Sequence, residues 1–67
     1  MKLNYGEALK EQRKIRNLTQ MDLEKATNIP QSTISAYEKN INSPNIDILV
    51  TLADFYDISV DELIGRK

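Results

Sequence analysis

Apolar residues recur along the chain at helical spacing in five short groups, and turn formers separate each group from the next. Tyr5, Ala8, Leu9 and Ile15 predict a first helix from about Tyr5 to Arg16, stopped at Asn17, which tolerates a left-handed backbone. Thr19, with Asp22 three residues on, makes a capping-box-like start for a second helix reaching about Thr27, with Leu23 and Ala26 facing inward. Asn28-Ile29-Pro30 then breaks the pattern. Pro30 lacks an N–H and biases Ile29 out of the helical region, yet it suits the start of a third helix. Ile34 and Tyr37 are the apolar stripe of that helix, while Gln31, Ser32, Ser35, Ala36 and Lys39 leave its other face short and polar. After the turn-forming loop Asn40-Ile41-Asn42-Ser43-Pro44, Asn45 caps a fourth helix whose buried stripe is Ile46, Leu49, Leu52, Ala53 and Tyr56. Ser59 and Glu62 read as a full capping box, so a fifth helix is short and ends at Gly65. The expected fold is all-α, a compact five-helix bundle forming one domain over residues 1–67.

Composition narrows the chemistry. A domain of 67 residues hides only about 60% of the surface its unfolded chain exposes, so its stability margin is thin. The absence of Cys and His removes disulfides, thiol nucleophiles, thiolate or imidazole metal ligands and the usual near-neutral acid–base residue. No enzyme activity, metal or cofactor is therefore expected. No apolar run approaches the roughly 20 residues that span a bilayer, and the amino end lacks the apolar stretch of a signal peptide. A cytoplasmic location follows, with neither a membrane partner nor a small-molecule substrate. The net charge of −1 argues at first sight against nucleic acid, but the charge is unevenly spread. Residues 1–45 hold seven Lys or Arg against five acids, whereas residues 46–67 hold two against five. Charges farther apart than about 8 Å are largely screened at physiological salt, so a basic face can coexist with an acidic total.

Two short helices joined by a three-residue turn inside a bundle of five form a helix-turn-helix arrangement. A recognition helix needs short polar side chains in its first turns, because those reach base edges in the major groove. Gln31, Ser32 and Thr33 meet that need. Gln31 can pair bidentately with adenine, Ser32 can donate or accept, and Thr33 or Ala36 can place a methyl against the thymine methyl.

An ordered set of residues also carries a family likeness: Gly6 and Leu9, Arg13, Leu18-Thr19-Gln20, Leu23, Ile29, Ser32-Thr33-Ile34-Ser35, Tyr37-Glu38, Ser43-Pro44, Leu49, Leu52-Ala53 and Ile58 to Leu63. With these the chain resembles the lambda-repressor-like and Cro-like helix-turn-helix domains of the xenobiotic response element type. The resemblance implies that Gln20 and Asn42 grip backbone phosphate, with Ser35, Tyr37, Lys39 and Asn40 as further candidates. It also implies that Arg13 and Glu38 form an internal ion pair tying the first helix to the end of the third. Glu24 departs from the family's usual Ala, so its side chain is expected to lean out or to shift the helix pair. Pro30 stands where Ser or Thr often caps the recognition helix, Asn40 where Gly is usual, and Gln12 where an apolar residue is common.

The expected partner is double-stranded DNA. Three base-reading side chains give little specificity alone, so a homodimer on a palindromic operator is expected, with half-sites about one helical turn apart. Phe55, Ile58, Val60 and Ile64 are the candidate interface, and the same residues could equally close the core. With nothing after Lys67, regulation would come from expression, a regulatory protein partner or a neighbouring subunit. A repressor that occludes a promoter is the first reading. The alternative is a protein-interaction module, an antitoxin or adaptor, which the acidic total and Glu24 favour. A catalytic reading based on Asp57, Asp61 and Glu62 has nothing behind it, since they lie at a solvated helix start without His, Cys or a phosphate-cradling loop.

Overall fold

The computed structural model describes residues 4–66, which hold five helices: α1 Tyr5–Lys14, α2 Gln20–Thr27, α3 Gln31–Glu38, α4 Ile46–Tyr56 and α5 Val60–Leu63. All five expected helices are present, and no strand is found among the described residues. Helix α3 packs against α1 and α2, while α5 packs against α1 and α4. The core is Leu9, Leu23, Ile29, Ile34, Tyr37, Leu52, Ala53, Tyr56 and Leu63, flanked by Tyr5, Leu18, Ile48, Leu49, Ile58 and Val60. No helix among the described residues is long and apolar enough to cross a membrane.

Side-chain caps start four of the helices. Asn4 accepts from the Glu7 N–H for α1 and Asn45 from the Ile48 N–H for α4. Thr19 and Asp22 make both halves of a capping box for α2, the shorter acid notwithstanding. The two bonds of Thr19, backbone first, hold the Asp22 carboxyl below its ordinary value. At α5 only half of the expected box forms: Ser59 accepts from the Glu62 N–H, and no bond returns from the Glu62 carboxylate. Helix ends follow a common rule. Asn17, Asn28, Asn40 and Asp57 take left-handed φ of 57° to 66°, which their short polar side chains tolerate.

Three apolar expectations fail for one geometric reason. Ile15 is 62% exposed because α1 ends at Lys14, so Ile15 no longer continues the buried stripe. Ile46 is 65% exposed at the first position of α4, before that helix reaches the core. Ala26 is also exposed, leaving Leu23 as the buried residue of α2. In helices of eight to eleven residues, end positions escape the stripe that periodicity assigns to them.

One buried group lacks a partner. The Tyr56 hydroxyl is buried without a hydrogen bond among the described residues, and burial pushes its pKa up against the lowering charges of Arg16 and Arg13. The Arg16 guanidinium lies 4.3 Å from the centre of the Tyr56 ring and also donates to the Tyr56 carbonyl. Gln12 serves here, its side chain and carbonyl both accepting from Arg16. Tyr56→Phe keeps the ring and removes the orphan hydroxyl. Stability should rise by about 1 kcal/mol, or roughly 4–8 °C in the melting temperature of a domain this size. A thermal melt that falls instead would show that the hydroxyl is satisfied.

Candidate nucleic-acid interface

Arg13 anchors the site from α1. Its Nε and Nη2 donate to the two oxygens of Glu38 at 2.7 and 2.9 Å, and its Nη1 donates to the Leu18 carbonyl at 2.8 Å. The two side chains are only 9% and 5% exposed. The expected pairing of Arg13 with Glu38 is thus seen as a buried fork joining α1 to the end of α3. The hydrogen bonds it donates to Glu38 hold Arg13 above its ordinary pKa. For Glu38, burial pushes upward, but the bonds from Arg13 and Gln20 and the charges of Arg13 and Lys10 outweigh it, so its carboxyl titrates below its ordinary value.

From Glu38 the hydrogen bonds run to the surface. Gln20, at the start of α2, donates its Nε2 to Glu38 Oε1 at 3.0 Å and accepts from Gln31 Nε2 at 2.7 Å. Gln31 opens α3, so an unbroken line leads from Arg13 through Glu38 and Gln20 to the first side chain of that helix. Ser32 is exposed, and Gln31, Thr33, Ser35 and Ala36 are half-buried. Among the described residues the Ser32, Thr33 and Ser35 hydroxyls make no side-chain hydrogen bond, and Lys39 is exposed. In the first turn of α3, Ser32 thus lies on the exterior, with Gln31 and Thr33 partly covered beside it.

Other sequence-derived candidates have different places. Tyr37 is 9% exposed and sits in the core, so it is not carried into a phosphate-contacting set. The exposed Asn40 side chain bridges to the start of α1, accepting from the Gly6 N–H and donating to Asn4 Oδ1, both at 3.0 Å. Asn42 is exposed, and its carbonyl accepts from the Tyr5 hydroxyl at 3.1 Å. Phe55 is 43% exposed, whereas Ile58, Val60 and Ile64 are half-buried, and Ile58 and Val60 pack against the core.

Glu24 reaches across to the start of α3. Its Oε1 accepts from the backbone N–H of Gln31 at 2.7 Å, binding α2 to the start of α3. Pro30 itself contributes no side-chain cap. A proline at the capping position and an acid seven residues before Gln31 were the two signals from which this bond could have been read.

A helix laid across its predecessor by the turn Asn28-Ile29-Pro30, with its first polar turn facing outward, defines a helix-turn-helix domain. The family described as helix-turn-helix matches residues 9–63, and the chain belongs to it. The chain is similar to the HTH-type transcriptional regulator ImmR of Bacillus subtilis (strain 168), at 33% identity over 96% of this chain and 50% of that protein. It is similar to the cryptic phage CTXphi transcriptional repressor RstR of Vibrio cholerae, at 38% identity over 96% of this chain and 57% of that one. A solved transcriptional regulator from Listeria innocua superposes with a TM-score of 0.87 at 25% identity, covering all of this chain and 63% of its own. The chain therefore spans about half the length of these sequence relatives. Family membership bears out the helix-turn-helix fold.

Proposed function

We propose that this chain is the DNA-reading domain of a cytoplasmic transcriptional regulator, with α3 entering the major groove. The observation that carries the reading is the hydrogen-bond state of Gln31. Its amide has two N–H donors and one oxygen, and Gln20 uses only one of the donors. An N–H and the oxygen are what adenine N7 and N6 require, and one N–H and the oxygen of Gln31 have no hydrogen-bond partner among the described residues. Ser32, Thr33 and Ala36 are the adjoining base contacts of this reading, and Ser35, Lys39 and Asn42 its phosphate contacts. Gln20 retains one amide hydrogen for a phosphate. Asn40 likewise has one spare hydrogen, but its first role is to hold α1 against α3.

One copy of this helix offers few base contacts, so the domain works as a homodimer on a two-fold operator, with Phe55 at the centre of the interface and Ile58, Val60 and Ile64 around it. A dimer seated over a promoter represses by occlusion, and the likeness to RstR favours that direction. The interaction-module alternative rests on the acidic total, while the Glu24 carboxylate is engaged with the start of α3.

Selection of bound sequences from a random DNA pool tests the whole reading. A palindromic motif is expected, and its affinity should fall with log salt at a slope of about −0.9 for each phosphate neutralised. Gln31→Ala should weaken selectivity at one base pair per half-site by about 1–3 kcal/mol. A pool that yields no motif, together with a flat salt titration, refutes the proposal.

A further inference from the structure

The third helix lacks a cap of its own. The Pro30 carbonyl accepts from the Thr33 and Ile34 N–H groups, but those of Gln31 and Ser32 have no backbone partner among the described residues, and Pro30 carries no side-chain acceptor. Glu24 provides one from the neighbouring helix, its carboxylate accepting from the Gln31 N–H at 2.7 Å. An anion there satisfies an orphan donor and complements the positive end of the helix dipole.

Glu24 and Gln20 lie four residues apart, on one face of α2. Both grip Gln31. Gln20 holds the side-chain amide, and Glu24 holds the main-chain nitrogen behind it. We infer that Glu24 is a specificity-positioning residue: its carboxylate caps α3 from across the turn and thereby sets the aim of the Gln31 amide at its base. This inference rests on the proposed reading of α3 as the recognition helix. A side chain held only through its amide can still swing if its backbone frays. Fixing the nitrogen as well leaves the reading edge one direction, and discrimination between bases depends on that direction.

The carboxylate also has an opposing effect. A negative charge beside the groove-facing helix repels phosphate, so removing it cannot weaken attraction to the DNA backbone. Loss of Glu24 should therefore lower selectivity while leaving non-specific affinity unchanged or raised. A general folding defect would lower both.

The test uses the motif selected by the wild-type chain and a second duplex altered only at the base pair whose preference Gln31→Ala abolishes. Glu24→Ala should reduce discrimination between the two duplexes by about tenfold, within the range one bidentate pair supplies. Glu24→Gln keeps an acceptor without the charge and should lose about threefold, since charge-assisted bonds are roughly twice as strong as neutral ones. Pro30→Ser supplies a local cap oxygen, so adding it to Glu24→Ala should restore discrimination to within about twofold of wild type. Unchanged discrimination in Glu24→Ala overturns the inference, as does a uniform loss at every base pair or a failure of Pro30→Ser to rescue. A wild type that selects no motif overturns the DNA reading and this role together. A selecting wild type whose Glu24→Ala variant discriminates equally well overturns this role alone.

Discussion

Arg13→Ala should leave the domain largely unfolded at room temperature, or close to it. Removing one partner of a buried ion pair costs about 3–5 kcal/mol, because the other charge stays buried without compensation. A chain of this length has a total stability of only about 3–10 kcal/mol. The loss goes beyond Glu38, since the same guanidinium also satisfies the Leu18 carbonyl that follows α1. Chemical denaturation followed by circular dichroism measures it, and a shift below about 1 kcal/mol would show that the pair is dispensable. Glu38→Gln, which keeps the shape, separates charge from packing. The pH dependence has a defined sign. Glu38 titrates in the folded chain below its ordinary value of 4.5, so its stabilisation is complete above about pH 4.5 and is lost as pH falls through the folded value. Glu38→Gln should flatten this acid slope. Some slope should remain, because Asp22 is lowered in the same direction by Thr19.

Gly6→Ala should be the other damaging substitution, against the usual trend. Replacing a helical glycine with alanine ordinarily gains about 0.5–1 kcal/mol. Here a Cβ would stand 2.6 Å from the Glu38 carbonyl oxygen and 2.8 Å from both the Tyr37 carbonyl oxygen and Asn40 Oδ1. Two of those three atoms are backbone and cannot rotate away, so α1 would have to move off α3. Overpacking of this kind costs about 1–3 kcal/mol, and the movement would also stretch the Gly6–Asn40 bond and the Arg13–Glu38 fork. A net loss of about 2 kcal/mol or more is expected. A midpoint of denaturation equal to or above that of the wild type would contradict it.

Much of this architecture was legible in the residues. Thr19, Asn45 and Ser59 announce helix starts because short polar side chains satisfy N–H groups within three residues, a local effect that sequence records directly. Leu9, Leu23, Ile34 and Leu52 fall at interior positions of their stripes and are buried, and Leu63 is buried although it ends α5. The Arg13–Glu38 pair was reached through family likeness; spacing could not have found it, since 25 residues separate the partners. The misses are long-range or terminal. Ile15 and Ile46 stand at helix ends, where the stripe turns away from the core. Asn40 reads as a surface turn residue and is exposed, but only the approach of α1 gives its amide the bonds to Gly6 and Asn4. The Glu24 bond leaves no mark in the hydrophobic periodicity, because it joins a side chain on one helix to the first amide of the next.

The hydrogen-bonded line from Arg13 to Gln31 also constrains how such a domain could drift toward a new target. A change at Gln31 strands the oxygen of Gln20, and a change at Gln20 takes a donor from Glu38, so either step disturbs the scaffold along with the reading edge. Ser32 and Thr33 carry no such debt, because their hydroxyls make no side-chain hydrogen bonds among the described residues. Divergence by single substitutions should therefore begin at those two positions, with Gln31 and Gln20 exchanged only together.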